Sequence, residues 1–327
     1  MFTAPAYTDD AYWTDLIEQY IKGANKYVSW FNVEDHMWAY FKHCLRHMNR
    51  FFFKHPHMPL LESEFSKHTC VLEQGQPVYR ARIDCGNKLW NEWLQYQRID
   101  SWPGELKLLQ AHKVSEQDIA NCKSQHEEFV ASPEIQQIKA RIDSGFQGFD
   151  ASGSSAPPSE YASAGRCNPQ GVSYLYAALE EHTAIAEIRP FIKDVISIAL
   201  LKPKRDLRLV NFDFEPEAVV SGENFLFNSI QRDFARINKS KDGEYLITQF
   251  ITALIEHLGY DGLCFKSSLV KDGTNYVIFD PEICPPISSE LCILPEVTYK
   301  FIKCNDFGKK ERRQSITDKL RNWMMFG

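Results

Sequence analysis

"VSYLYAALEEHTAIAEIRPF", residues 172–191, changes its period halfway along. The first eight residues, 172–179, form an apolar and aromatic run that reads as a strand. The next twelve place Ala184, Ile185 and Ile188 on one face of a helix. A strand that feeds straight into a short helix sets the class once its surroundings are read the same way. Downstream, "VISIALL" and "LRLVNFDF" flank "KPKRD" as two strands and a turn. "EYLITQFITALIEHL", near 244–258, carries Leu246, Phe250, Ile251, Leu254, Ile255 and Leu258 as one helical stripe, and Gly259 supplies the stop. "YDGLCF" and "NYVIF" are two further strands joined by "KSSLVKDGT". Upstream, "VYRARI" at 78–83 is a short strand after Gly75 and Pro77. The expectation is an α+β fold.

Around this centre lie helical stretches. From 9 to about 54, Trp13, Leu16, Ile17, Tyr20 and Ile21, then Trp30, Phe31, Trp38, Phe41 and Leu45, recur mostly every three or four residues, until "KHPHMP" stops the pattern. Residues 105–143 mix charged and apolar positions at helical spacing, and 145–160 form a loop by composition. The tail from 306 is basic, with Ile316, Leu320, Trp323 and Met324 on one helical face, and reads as a docking helix. The expected division is a helical N-terminal domain at 1–68, an α+β domain at 69–290 with a helical insertion at about 90–144, and a strand plus basic amphipathic helix at 291–327.

Composition narrows the function. Thirty-seven basic and 43 acidic side chains give a net charge of −6, so no global electrostatic case exists for a nucleic-acid partner. Nine cysteines without a C-x-x-C pair favour a reduced, cytoplasmic setting over a disulfide framework or structural zinc. The start, "MFTAPAYTDDAYWTDLIEQY", has no apolar core segment, so no signal peptide is expected. No apolar run approaches the roughly 20 residues that span a bilayer. The G-x-G-x-x-G, P-loop, H-E-x-x-H and G-x-S-x-G signatures are all missing from the sequence. His55-x-His57, beside two prolines, reads as a solvated turn before it reads as a metal pair.

Several residues stand out against this background. Arg80 lies inside an apparent strand. Arg166 precedes an Asn168-Pro169-x-Gly171 turn at the mouth of another, and that turn is expected to expose amides as an anion seat. Glu187 lies one helical turn after Ala184 and next to Ile188, near the buried face, where a carboxylate needs a partner.

"VYRARI", "GRCNPQGVSYLYAALEEHTAIAEIRP", "EYLITQF" and "GYDGLCFKSSLVKDGTNYVIFD" together resemble the RES domain, named for its arginine, glutamate and serine, over roughly 70–285. The resemblance implies an ADP-ribosyltransferase-like fold, with a central split mixed sheet flanked by helices, and NAD consumption by a toxin of a toxin-antitoxin pair. It implies Arg80, Glu187 and Ser267 as the catalytic set, with Ser267 preferred over Ser268. Arg166, Tyr176 and, less directly, Tyr79 would form the NAD pocket. NAD would be substrate, with no cofactor and no metal, and a cognate antitoxin the expected partner; a homo-oligomer stays open. Water, phosphate or a protein side chain would accept the ADP-ribosyl group. Two other readings stand beside this one. Arg50 and His55 form an R-x4-H pattern similar to that of HEPN ribonucleases, although Phe51 follows the arginine and His55 falls at the helix end expected before Pro56. A third reading keeps the fold as a non-catalytic binding module.

Overall fold

In the computed structural model the described residues are 38, 41–46, 58–213, 225–235 and 245–296. Arg50, His55 and the basic tail from 306 lie outside them. The elements follow in chain order: α1 (Met58–Lys67), β1 (Thr69–Leu72), β2 (Val78–Ile83), α2 (Lys88–Ala111), α3 (Glu116–Ala131), α4 (Pro133–Asp143), α5 (Ala151–Ser154), β3 (Leu175–Ala178) and α6 (Glu181–Glu187). After these come β4 (Val195–Leu201), β5 (Leu207–Phe212), α7 (Phe225–Ala235), α8 (Leu246–His257), β6 (Gly262–Lys266), β7 (Thr274–Ile278) and β8 (Pro286–Ile293).

Among the described residues the strands form one mixed sheet in the order β1-β5-β6-β7-β3-β2-β4-β8, with β5 and β6 parallel and every other pair antiparallel. The sheet is nearly split. β2 meets β3 at the single pair Tyr79↔Ala178, whereas β2 and β4 pair along six positions. Two half-sheets therefore share one rung, and β2 diverges from β3 beyond it.

Alternation along the strands assigns the faces. Val78, Arg80 and Arg82 leave one face of β2; Tyr79, Ala81 and Ile83 leave the other. α6 covers the second face, where Ala81, Ala178, Ala184 and Ile196 are buried together and Tyr79, Ile185 and Ile188 pack against them. The main core lies further along this face, where α7 and α8 bring Phe227, Ile230, Phe234, Ile251 and Ile255 onto Val210, Phe212, Leu263 and Phe265. α1 adds Leu61 and Phe65 to the same core, Phe65 meeting Phe212 edge-on at 6.2 Å, and Trp38, Phe41 and Leu45 join it.

Local sequence explains where elements stop. The helix expected over 180–191 ends at Glu187, because Arg189 adopts φ 49 directly before Pro190. The strand expected at 172–179 enters the ladder only at Leu175. The insertion forms three helices over 88–143, the first continuing through Pro103. β8 begins at Pro286, before the strand expected at 291, and takes the sheet edge beside β4, where proline costs no ladder bond on the open side.

Candidate active site

The early end of α6 puts Glu187 on the helix's last turn, above β7. Its Oε1 accepts two hydrogen bonds, from Ser267 Oγ at 2.7 Å and from Asn275 Nδ2 at 2.6 Å. No hydrogen bond to Oε2 is found among the described residues. Ser267 follows β6 and opens the loop to β7, tied there by its own amide to Gly273 O at 2.7 Å. Its Oγ accepts from Leu269 N and Val270 N, each at 3.2 Å, so its one proton is directed at Glu187. Ser267, rather than the adjacent Ser268, is the serine that reaches the carboxylate.

Asn275 is absent from the sequence-predicted set. It sits within β7, paired with Ala178 on one side and Phe265 on the other. In "TNYVI" it is one amide in an apolar run; the structure buries all five residues of this strand, and a buried amide needs a hydrogen-bond partner.

Tyr176 and Arg166 lie on the same sheet face. Tyr176 stands two residues along β3 from Ala178, the neighbour of Asn275. Its hydroxyl donates to Asn168 Oδ1 at 2.7 Å and accepts from Cys167 N at 3.0 Å. Burial raises its pKa well above the ordinary phenol value, the neighbouring Cys167 adding to the effect, so the hydroxyl keeps its proton. Asn168 in turn donates to Ser163 O, Pro169 O and Val172 O. Gln249 of α8 donates to Gly165 O and Asn168 O. The Arg166 guanidinium sits 5.2 Å over the Phe265 ring, and its Nη1 donates to Phe234 O at the end of α7.

Four amides at the turn expected to form an anion seat are engaged within the protein. Gly165 N donates to Asn168 O, Cys167 N to the Tyr176 hydroxyl, Gly171 N to Ala162 O and Val172 N to Pro169 O. These donors hold the turn closed. The positively charged side chain at this turn is Arg166.

Arg80 is not brought to Glu187. It leaves β2 on the face opposite α6, and its Nη1 donates to Tyr176 O at 2.7 Å, across the split between the half-sheets. Its Nε is buried with no hydrogen-bond partner among the described residues. Burial, with the adjacent Arg82 charge adding to it, pulls the guanidinium down to about 9, so it is still charged at neutral pH. Tyr79, one residue earlier, does lie on the Glu187 face.

On the Arg80 side a cavity of about 860 Å³ separates β2 from the insertion. Its lining sets Arg80, Arg82, Lys88 and Arg141 against Asp84, Glu92 and Asp150. Glu92 pairs with Arg141 at 2.8 Å, Asp84 accepts from Trp90 N at 3.2 Å, and Asp150 accepts from Gly153 N at 2.6 Å. With four cations facing three engaged carboxylates, the cavity is close to electrically balanced. Among the described residues no cluster of His, Cys, Asp and Glu is arranged to hold a metal ion, and no helix is long and apolar enough to cross a membrane.

The RES domain family model matches residues 139–299, so this stretch of the chain is a RES domain. It contains Arg166, Tyr176, Glu187, Ser267 and Asn275; Tyr79 and Arg80 lie before it, beyond the insertion. The α+β architecture with its nearly split mixed sheet is ADP-ribosyltransferase-like. No curated protein sequence matches the chain. Among solved structures, the crystal structure of the M. tuberculosis MbcT-MbcA toxin-antitoxin complex aligns over 72% of this chain and 93% of that one, at 9% identity and a TM-score of 0.34.

Proposed function

We propose that this site cleaves the nicotinamide–ribose bond of NAD, with water or inorganic phosphate as acceptor, and that the protein acts as a toxin or defence enzyme restrained by a cognate antitoxin. The observation that carries the chemistry is the Glu187 carboxylate, with Oε1 taken by Ser267 and Asn275 and no such donor to Oε2 among the described residues. Breaking the bond from ribose C1′ to the pyridinium nitrogen sends the electron pair to nicotinamide, which leaves neutral, and positive charge develops on the ribose as in glycoside hydrolysis. A fixed carboxylate beside that sugar stabilises the charge. The leaving group needs no proton, which fits a site without a general acid.

The other side chains divide the rest of the substrate. Arg166 supplies permanent charge for the pyrophosphate. Tyr176, its hydroxyl committed to the Asn168 turn, offers its ring for stacking, and Tyr79 borders the same face. Arg80 serves this site through Tyr176, by fixing the β3 backbone, instead of through direct contact with Glu187. The toxin and antitoxin parts of the reading rest on the RES domain itself.

The test is nicotinamide release from NAD by the purified protein, with and without inorganic phosphate, beside Glu187→Gln. Loss of one charge-stabilising group is expected to lower kcat by about 100-fold or more. Release that requires phosphate identifies a phosphorylase, and release without it a glycohydrolase. Turnover by Glu187→Gln at the wild-type rate, or no release under either condition, refutes the reading.

A further inference from the structure

We infer that Asn275 is a positioning residue that, with Ser267, fixes the Glu187 carboxylate so that Oε2 alone is presented to the substrate. The inference rests on the reading of Glu187 as the working carboxylate.

Three observations carry it. First, Asn275 is only 7% exposed, and its Nδ2 lies 2.6 Å from Oε1, the short contact expected when a donor meets an ionised acceptor. Second, Ser267 donates to the same oxygen, and two loop amides hold its lone pairs, which leaves its proton directed at Glu187. Third, both donors sit on the β6–β7 hairpin, across the bridge from Phe265 to Asn275. The terminal torsion of a glutamate is broad and roughly two-fold. One donor leaves that torsion free to swing about the bond. Two donors converging from one rigid hairpin define the carboxylate plane, and so the direction of Oε2.

An ordinary buried asparagine would satisfy its amide with any nearby acceptor and affect stability alone. The positioning role requires more. Removing the donor must slow turnover while leaving substrate binding nearly intact, since the Asn275 amide is committed to the carboxylate.

The experiment uses the full chain with Asn275→Ala and with Asn275→Asp, which keeps the shape but replaces the donor with a second carboxylate facing Glu187. Loss of one charge-assisted bond is expected to lower kcat for nicotinamide release about 10- to 100-fold in Asn275→Ala, with KM within about threefold of wild type. Asn275→Asp should fall further. Either variant turning over within twofold of wild type overturns the proposal. A second measurement does not depend on activity: urea midpoints of Asn275→Ala, Glu187→Ala and the double variant. Coupled residues give a double loss smaller than the sum of the single losses. Strict additivity overturns the proposal. If wild-type protein releases no nicotinamide yet the losses are non-additive, the NAD reading fails and Asn275 still positions Glu187.

Discussion

Replacing Gly165 with alanine tests how tightly the Tyr176 turn is built. A Cβ on Gly165 would stand 2.6 Å from Asn168 Oδ1 and 2.9 Å from the Tyr176 hydroxyl oxygen. Neither atom can step aside cheaply. Asn168 is held by three donated bonds to carbonyls, and the Tyr176 hydroxyl is bound on both sides. Overpacking of this kind costs roughly 1–3 kcal/mol, and separating the Tyr176–Asn168 pair adds roughly 1 kcal/mol or more. A loss of about 3 kcal/mol corresponds to a fall in Tm of about 4–5 °C for a chain of this size. Gly171→Ala, six residues on, is the control: its φ is +85 but no atom lies within 4 Å of the added Cβ, so only the left-handed backbone penalty of about 1–2 kcal/mol applies. Thermal unfolding of both variants gives the comparison, with Tyr176→Phe in the Gly165→Ala background expected to recover part of the loss. A Gly165→Ala variant no less stable than Gly171→Ala would refute the account of the turn.

Two further outcomes follow from the charges and thiols. Arg205, with Nη2 2.6 Å from Asp261 Oδ1, holds the Asp261 carboxyl below the ordinary carboxylate value, and the Arg208 amide assists. A depressed folded pKa gives stability that is present above the unfolded value near 4 and is lost as pH falls through the lower folded value. Asp261→Asn should therefore lower the urea midpoint at pH 7 and flatten its decline below about pH 4. Burial pushes the Cys167 thiol up to about 12, whereas Cys85 is exposed. Iodoacetamide at pH 8, followed by peptide mass spectrometry, should modify Cys85 early and Cys167 only after unfolding.

Much of the site was legible in local pattern, and the misses are physical. The placement of Glu187 near a buried face followed from Ala184 and Ile188, and the serine's place between two late strands from "YDGLCF" and "NYVIF". Asn275 was not found because one polar residue in a strand reads as the wet side of an alternation. Only burial from both faces, set by pairing with β3 and β6, makes it an obligate donor. The Asn168-Pro169-x-Gly171 turn reads from sequence as a set of exposed amides, but contacts with Asn168, Tyr176 and Ala162 engage several of them. That closure depends on a strand tyrosine reaching back eight residues, which spacing alone does not reveal.

Arg80 teaches the opposite lesson, because the information was in the hexapeptide. In "VYRARI" the period of two separates Tyr79, Ala81 and Ile83 from Val78, Arg80 and Arg82. The first set is the one a covering helix can bury, so the arginines must face away from α6 and from Glu187. What alternation could not supply is the reason a guanidinium is acceptable there. The half-sheets share one rung, and beyond it β3 has a carbonyl, Tyr176 O, without β2 beside it. Arg80 fills that gap with a charged donor at 2.7 Å. An arginine at the split thus does structural work that a ladder amide would do elsewhere, and it ties β2 to the strand that carries Tyr176. Arg80 and Tyr176 are thus joined through one peptide carbonyl, although Arg80 leaves the sheet on the face opposite α6.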